Sequence, residues 1–310
     1  MSAIGPRLRT KLENFASAEI SSRPLAMVRI FTAFICIYQF AGPWASHFLD
    51  GYPGAVALTW VYFILAGLLL VGYKTRVVAA AFALVFGLLH IYFGVQFHIH
   101  VLEKPVQQFQ IAVLLALTPC GRSLSVDRAI EVRCAGRQGR EPEPERMPWW
   151  QVELFIVQIA SIYLWAAQNK SDDKWLRGER MERYYLDWYG GSDSLVYTPW
   201  VHHVAVFLAW STTALEFVLA FGLLVRRWRP YLMWGGVMLH LGILAMFSVT
   251  YFSFMMLLIL MLCLPPTWIH DFISLVIEDS PRAQTQTQTK TKTSLASTAG
   301  PKSDPTPVRR

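Results

Sequence analysis

The sequence predicts an all-α integral membrane protein with about eight transmembrane helices and both termini in the cytoplasm. Three observations predict it. The 310-residue chain is 54% hydrophobic and only 16% charged, with a mean hydropathy of +0.35. Soluble domains carry about 25% charged residues, and a core of this size cannot hide so much apolar surface from water. The apolar residues fall into long runs, as a spanning helix of about 20 residues requires. The Lys and Arg residues crowd into alternate connections between those runs.

The runs lie at 25–45, 56–71, 77–95, 106–117, 149–167, 201–225, 230–248 and 251–264. The fourth and eighth are short, which fits tilted or partly re-entrant helices. Pro105, Pro148, Pro199 and Pro230 stand at or just before run starts, where a missing N–H costs little. One set of connections is 1–24, 72–76, 119–148, 226–229 and the tail after 265, and it holds 21 basic residues. The other set, 45–55, 96–105 and 168–200, holds 6. The richer set faces the cytoplasm. This divides the chain into a basic cytoplasmic segment 1–24, a membrane domain 25–266, and a cytoplasmic tail 267–310. From about 281 the tail is rich in Thr, Gln, Ser and Pro and lacks aromatics, so it is expected to be disordered. Residues 122–146 form a charged connector. The outward 168–200 stretch mixes aromatics with charges, as short interfacial helices do.

The net charge of +7 raises the question of nucleic acid. The basic residues sit in short clusters between apolar runs, so their partner is the lipid bilayer and no nucleic acid is expected. Cys36, Cys120, Cys134 and Cys263 form no CxxC pair, and none falls in an outward segment. No disulfide and no metal site is expected. The first run ends in no small-residue cleavage site, so no cleavable signal peptide is expected. The location is the cell membrane, crossed several times.

Lipid excludes charge, so each polar group inside a run needs a reason. Arg29 lies one turn into the first run, where snorkelling to the inner headgroups is the simplest account. Glu216 is deeper, as a paired structural acid or as part of a site. His90 and His240, each taken alone, read as packing histidines. Gln107, Gln108 and Gln110 cluster at the start of the fourth run, as interhelical hydrogen bonds require. Two outward segments carry more chemistry. His98 and His100, followed by Glu103 and Lys104, have no obvious third ligand for a metal. Lys170 ends the fifth run, between Tyr163 and the stretch Asp172, Trp175, Gly178. It either snorkels outward or turns into an apolar cavity, where a neutral amine is a usable base.

At these segments the sequence resembles the membrane half of vitamin K-dependent gamma-carboxylase and its bacterial relatives. These are the horizontally transferred transmembrane domain (HTTM) proteins, among them the sporulation-delaying protein B group. The likeness covers residues 20–266. It runs through Leu25-Ala-Met-Val-Arg29, Trp60-Val-Tyr62, Gly72 with Arg76, His100 followed by Phe109-Gln110, and Ser125-Val-Asp127. The densest match is Tyr163 to Gly178, with Ala166, Lys170, Asp172, Trp175 and Gly178 in place. His240, Phe247-Ser248 and Phe252-Ser253 close it. The resemblance implies that Lys170 is the base that deprotonates vitamin K hydroquinone or menaquinol. Oxygen addition then yields a strong alkoxide, which takes a glutamate γ-proton before carbon dioxide adds. It implies that His100 serves the carbanion and carbon dioxide step. Gln110, Tyr163, Trp175, Glu216 and His240 are the candidates for the pocket around them. Two positions depart from the pattern: Asn169 stands where the carboxylase has a second lysine, and Ile99 where it has an asparagine. The large soluble domain of the carboxylase has no counterpart in this sequence.

The expected function is therefore carboxylase-like. A quinol would drive modification of an exported peptide or small substrate, with a secreted peptide or a separately encoded soluble domain as partner. The rival is a non-enzymatic membrane helper in toxin or peptide maturation, immunity or export. A proton-coupled carrier would be favoured by an inverted repeat, and none is visible.

Overall fold

Each of the eight apolar runs forms a helix. The computed structural model describes residues 17–48, 53–97, 106–189, 199–246 and 250–278. The helices on the runs are α1 (Arg23–Phe48), α2 (Pro53–Val71), α3 (Thr75–Phe97), α4 (Val106–Leu117), α6 (Trp150–Asn169), α9 (Pro199–Gly222), α10 (Arg229–Met246) and α11 (Thr250–Leu260). Between them lie α5 (Val126–Gln138), α7 (Asp173–Leu176) and α8 (Glu179–Tyr189). A helix is the form that satisfies every backbone group within one segment, which lipid demands. Proline opens α2 and α9.

Among the described residues three helices are long and apolar enough to cross a membrane: Thr75–Tyr92, Trp150–Asn169 and Trp200–Gly222. The count rises to four only if Tyr251–Cys263 and Thr267–Leu275 are taken as one span. The polarity of the bundle is inverted relative to a soluble protein. Trp60, Phe207, Tyr231, Trp234 and Met238 are exposed, while Arg29, Gln107, Gln108, Glu216, Arg229 and His240 are buried. Exposed apolar surface of this extent belongs in lipid. Within the bundle the Tyr62 ring lies tilted against Phe82 and Phe86, with ring centroids 5.0 and 5.6 Å apart. Phe155, Ile159, Leu219 and Met255 extend the same core across α6, α9 and α11.

Arg29 does not snorkel. It is fully buried, and its guanidinium donates to the carbonyls of Cys120 (2.9 Å) and Leu124 (2.6 Å). The reason lies in α4. The turn that follows it carries the carbonyls of Cys120 and Leu124 outside any helical ladder, and Arg29 supplies the donors they need. The neighbouring turn is fixed from the other side. Asp127 accepts from the backbone of Lys74 and Thr75 and from the Thr75 hydroxyl, each at 2.7 Å. Ser125 caps α5, accepting from Arg128 N at 2.9 Å. Three fragments of the family likeness, around Arg29, Gly72 and Ser125 to Asp127, thus meet in one structural clasp.

The same end of the bundle holds a small sheet that the sequence reading did not anticipate. β1 (Glu19–Ser21) pairs antiparallel with β2 (Arg146–Pro148), Ile20 opposite Met147. Glu145 pairs with Arg23 (3.0 Å) and Arg128 (3.3 Å), so the charged connector is folded against the start of α1. Beside it Arg229 grips Glu153 through both guanidinium nitrogens, at 2.6 and 2.5 Å. All four cysteines are free thiols, three of them buried.

The second compact unit begins at Thr267. Its described part is helix α12 (Pro266–Glu278), which exposes Trp268, Phe272 and Leu275 along one face. The tail expected to be disordered from about 281, and the segment before residue 17 expected to be cytoplasmic, lie outside the described residues.

Candidate functional site

Lys170 turns inward. It caps α6, its backbone N–H reaching the carbonyls of Ala166 (3.1 Å) and Ala167 (3.2 Å). Its Nζ donates to the carboxylate of Glu216 on α9. Glu216 is only 3% exposed. An unpaired charge at that depth costs several kcal/mol, on the order of 3 by insertion scales, so the acid draws the lysine in. Trp175 covers the pair, with Nζ 5.3 Å from its ring centroid. The indole is placed by two bonds. Nε1 donates to Ala209 O at 3.2 Å, and its backbone N–H caps onto Asp172 Oδ1 at 2.9 Å.

The turn after α7 completes this cover. Gly178 has φ +79° and lies against α9, where an added Cβ would come within 2.8 Å of Val206 N. Gly178→Ala is expected to cost at least about 2 kcal/mol, from left-handed strain and the clash together. Thermal unfolding checks it, and a melting temperature equal to wild type would show that α8 does not need this approach. Met181 and Trp175 pack with Ala205 and Ala209, so α8 lies along α9 as a short helix of the 168–200 stretch.

A second pair lies deeper. The Tyr163 hydroxyl and His240 Nε2 are 3.1 Å apart, both groups buried. Gly236 makes room for them: a Cβ there would stand 3.1 Å from the Tyr163 hydroxyl. Phe252 flanks His240 at 5.7 Å between ring centroids. Tyr163 and Lys170 stand seven residues apart, two turns along one face of α6, so the two pairs lie on the same side of that helix. Among the described residues Glu216 Oε2 and His240 Nδ1 have no hydrogen-bond partner. Such buried orphans cost about 1–3 kcal/mol each. A polar ligand that reaches them would recover that energy.

The glutamines do form interhelical bonds. Gln108 donates to Gln39, Gln107 to the Met256 sulfur at 2.7 Å, and Gln158 to Gln110 at 2.6 Å. Gln110 therefore sits at the α4–α6 seam, roughly three turns before Lys170 on the α6 side. His90 is a packing histidine, bonded through Nδ1 to Phe86 O at 2.8 Å. His98, His100, Glu103, Lys104 and Phe247-Ser248 lie outside the described residues. Gln158 and Gly236 were not singled out from the sequence. The Gly235-Gly236 pair inside an apolar helix is the signal that marks Gly236, since small residues admit close approach. Among the described residues no group of three or more His, Cys, Asp or Glu could hold a metal.

The profile of a known family, described as the HTTM domain, matches residues 22–268. No curated protein and no solved structure matches the chain.

Proposed function

The chain belongs to the HTTM domain family, and from that premise we propose a carboxylase-like membrane enzyme. It uses a quinol of the vitamin K hydroquinone or menaquinol type to drive modification of an exported peptide or small substrate. The observation that carries this reading is the buried Lys170–Glu216 pair under Trp175, beside Tyr163 and His240. Nζ, held in place by the Glu216 carboxylate, is the amine set to take a proton from a bound hydroxyl. Glu216 Oε2 and His240 Nδ1 are unsatisfied, and the hydroxyls of a quinol fit such atoms. The bound quinol supplies the reducing equivalents and the acidic hydroxyl. Lys170 receives the proton, Glu216 orients and balances it, and Trp175 excludes water. His100 keeps the role that the resemblance implies.

In this reading all eight helices cross the cell membrane, both termini are cytoplasmic, and 168–200 faces outward. The contacts at the far end of the bundle support it. The connections counted as cytoplasmic bind one another, Asp127 with 74 and 75 and Ser22 with Ser123, and Arg29 of the first span holds 120 and 124. Single cysteines at Ser192 and Ser303 test the topology with an impermeant thiol reagent. In intact cells position 192 should label and position 303 should not. The reverse pattern sinks the assignment.

A non-enzymatic helper in peptide maturation, immunity or export is the second reading. The same ion pair favours it, because Lys170 and Glu216 also neutralise each other inside a membrane. Quinol epoxidation by the purified protein decides. Oxygen-dependent turnover of vitamin K hydroquinone or menaquinol is expected, and none with either favours the helper.

A further inference from the structure

We propose that the cleft between the first turns of α6 and α10 binds an anionic phospholipid, with its phosphate held by Arg226. The cleft has a volume of about 230 Å³. Its walls are largely apolar: Ile20, Trp149, Val152, Leu262, Leu264 and Pro265. Three charged side chains line it, Glu153, Arg226 and Arg229. Two of them cancel. Arg229 spends Nη1 and Nη2 on Glu153 and Nε on Leu223 O at 2.7 Å. Arg226 is left as the net positive charge. Its guanidinium lies 5.1 Å from the centroid of Trp149, and among the described residues it has no hydrogen bond and no carboxylate partner. A guanidinium held over a ring keeps the N–H donors of its edge free, in the fork that matches a phosphate.

The surroundings select a lipid over a soluble anion. Trp150 and Trp228 are exposed beside the cleft, and Arg227 lies 5.6 Å from the Trp228 ring centroid. Tryptophan with arginine at helix ends marks the headgroup level. Inorganic phosphate would meet only the charge, while a lipid also covers the apolar wall with its glycerol and first methylenes. A larger cleft of about 500 Å³ at the same end makes the contrast. Arg76, Arg122 and Arg128 are matched there by Asp127, Glu131 and Glu143, so no net charge remains for an anion. The proposal rests on membrane embedding and is independent of quinol chemistry.

The test uses the full-length protein in a neutral detergent, titrated with phosphatidylglycerol, phosphatidylcholine of equal chain length, or inorganic phosphate. Native mass spectrometry reads lipid retention, and thermal unfolding reads stabilisation. Phosphatidylglycerol should bind about tenfold tighter than phosphatidylcholine, and phosphate at equal concentration should not stabilise. Arg226→Gln should weaken phosphatidylglycerol by about tenfold or more, the scale of one lost charged hydrogen bond. Arg226→Lys keeps the charge without the planar fork and should fall between, which also covers poor folding of the glutamine variant. Arg227→Gln should bind as wild type. Equal binding of the two lipids overturns the proposal, as does equal loss in the Arg226 and Arg227 variants. Stabilisation by phosphate matching that by phosphatidylglycerol overturns it too, in favour of a soluble anion.

Discussion

Lys170→Arg and Lys170→Ala are expected to lose quinol turnover together, by roughly 10²–10⁴-fold, the usual worth of a positioned proton transfer. The arginine variant is the sharper of the two. It keeps a cation opposite Glu216, so the buried acid remains paired and the bundle keeps its fold. An arginine cannot give up its proton inside a protein, so it cannot serve as a base. The alanine variant leaves Glu216 alone at 3% exposure, so part of its loss would come from stability. Folding is therefore followed by gel filtration beside the epoxidation assay. Lys174, exposed on α7, is the control and should tolerate replacement. A small amine added to Lys170→Ala should restore part of the activity, because the cavity then lacks only its base. Wild-type turnover in Lys170→Arg would remove Lys170 as the base and leave the pair as charge neutralisation, as the helper reading holds.

The helices were legible because lipid imposes a length and a composition on each segment. The run at 149–167 became Trp150–Asn169, and the short run at 106–117 became Val106–Leu117. The last run tightens into a 3₁₀ turn at Met261–Cys263 instead of staying helical to residue 264, with Pro265 and Pro266 following. The site was legible residue by residue but not as an assembly. Glu216 and His240 stood out as polar groups inside apolar runs, and Lys170 and Tyr163 through the outward segment that carries the family likeness. Nothing local says that Lys170 meets Glu216 across 46 positions, or Tyr163 meets His240 across 77. The same limit hid the Glu153–Arg229 grip, whose partners are 76 positions apart. Arginine 229 was read only as one of several inner-face charges. Pairing of this kind depends on helix packing, and periodicity carries no record of it.

Arg29→Met is expected to destabilise the protein by roughly 3–5 kcal/mol, the range for removing one partner from a buried charged network. The side chain is wholly buried, and it is the donor to both the Cys120 and the Leu124 carbonyl. Methionine fills much of the volume but returns neither bond. A snorkelling arginine would predict something else, since lysine reaches the headgroups as well. In the clasp, a lysine has no planar fork to span two carbonyls, so Arg29→Lys should lose most of what Arg29→Met loses. Gly72 gives an independent approach to the same clasp. Its φ is +72°, and a Cβ would lie 2.6 Å from Arg29 Nη1 and from Ser125 Cβ. Gly72→Ala should therefore destabilise too, by at least about 2 kcal/mol. Because it presses on the same guanidinium, its cost should not add in full to that of Arg29→Met. Thermal unfolding of the purified variants reads all three. Hydrogen exchange should rise first at 119–128, where the turn loses its donor. Lys170 ends α6 at the far side, about 30 Å from the helix start by its 20 residues. The folded fraction of each variant should thus turn over quinol at the wild-type rate. A melting temperature of Arg29→Lys equal to wild type would return Arg29 to the headgroups and dissolve the clasp as an explanation of the motif.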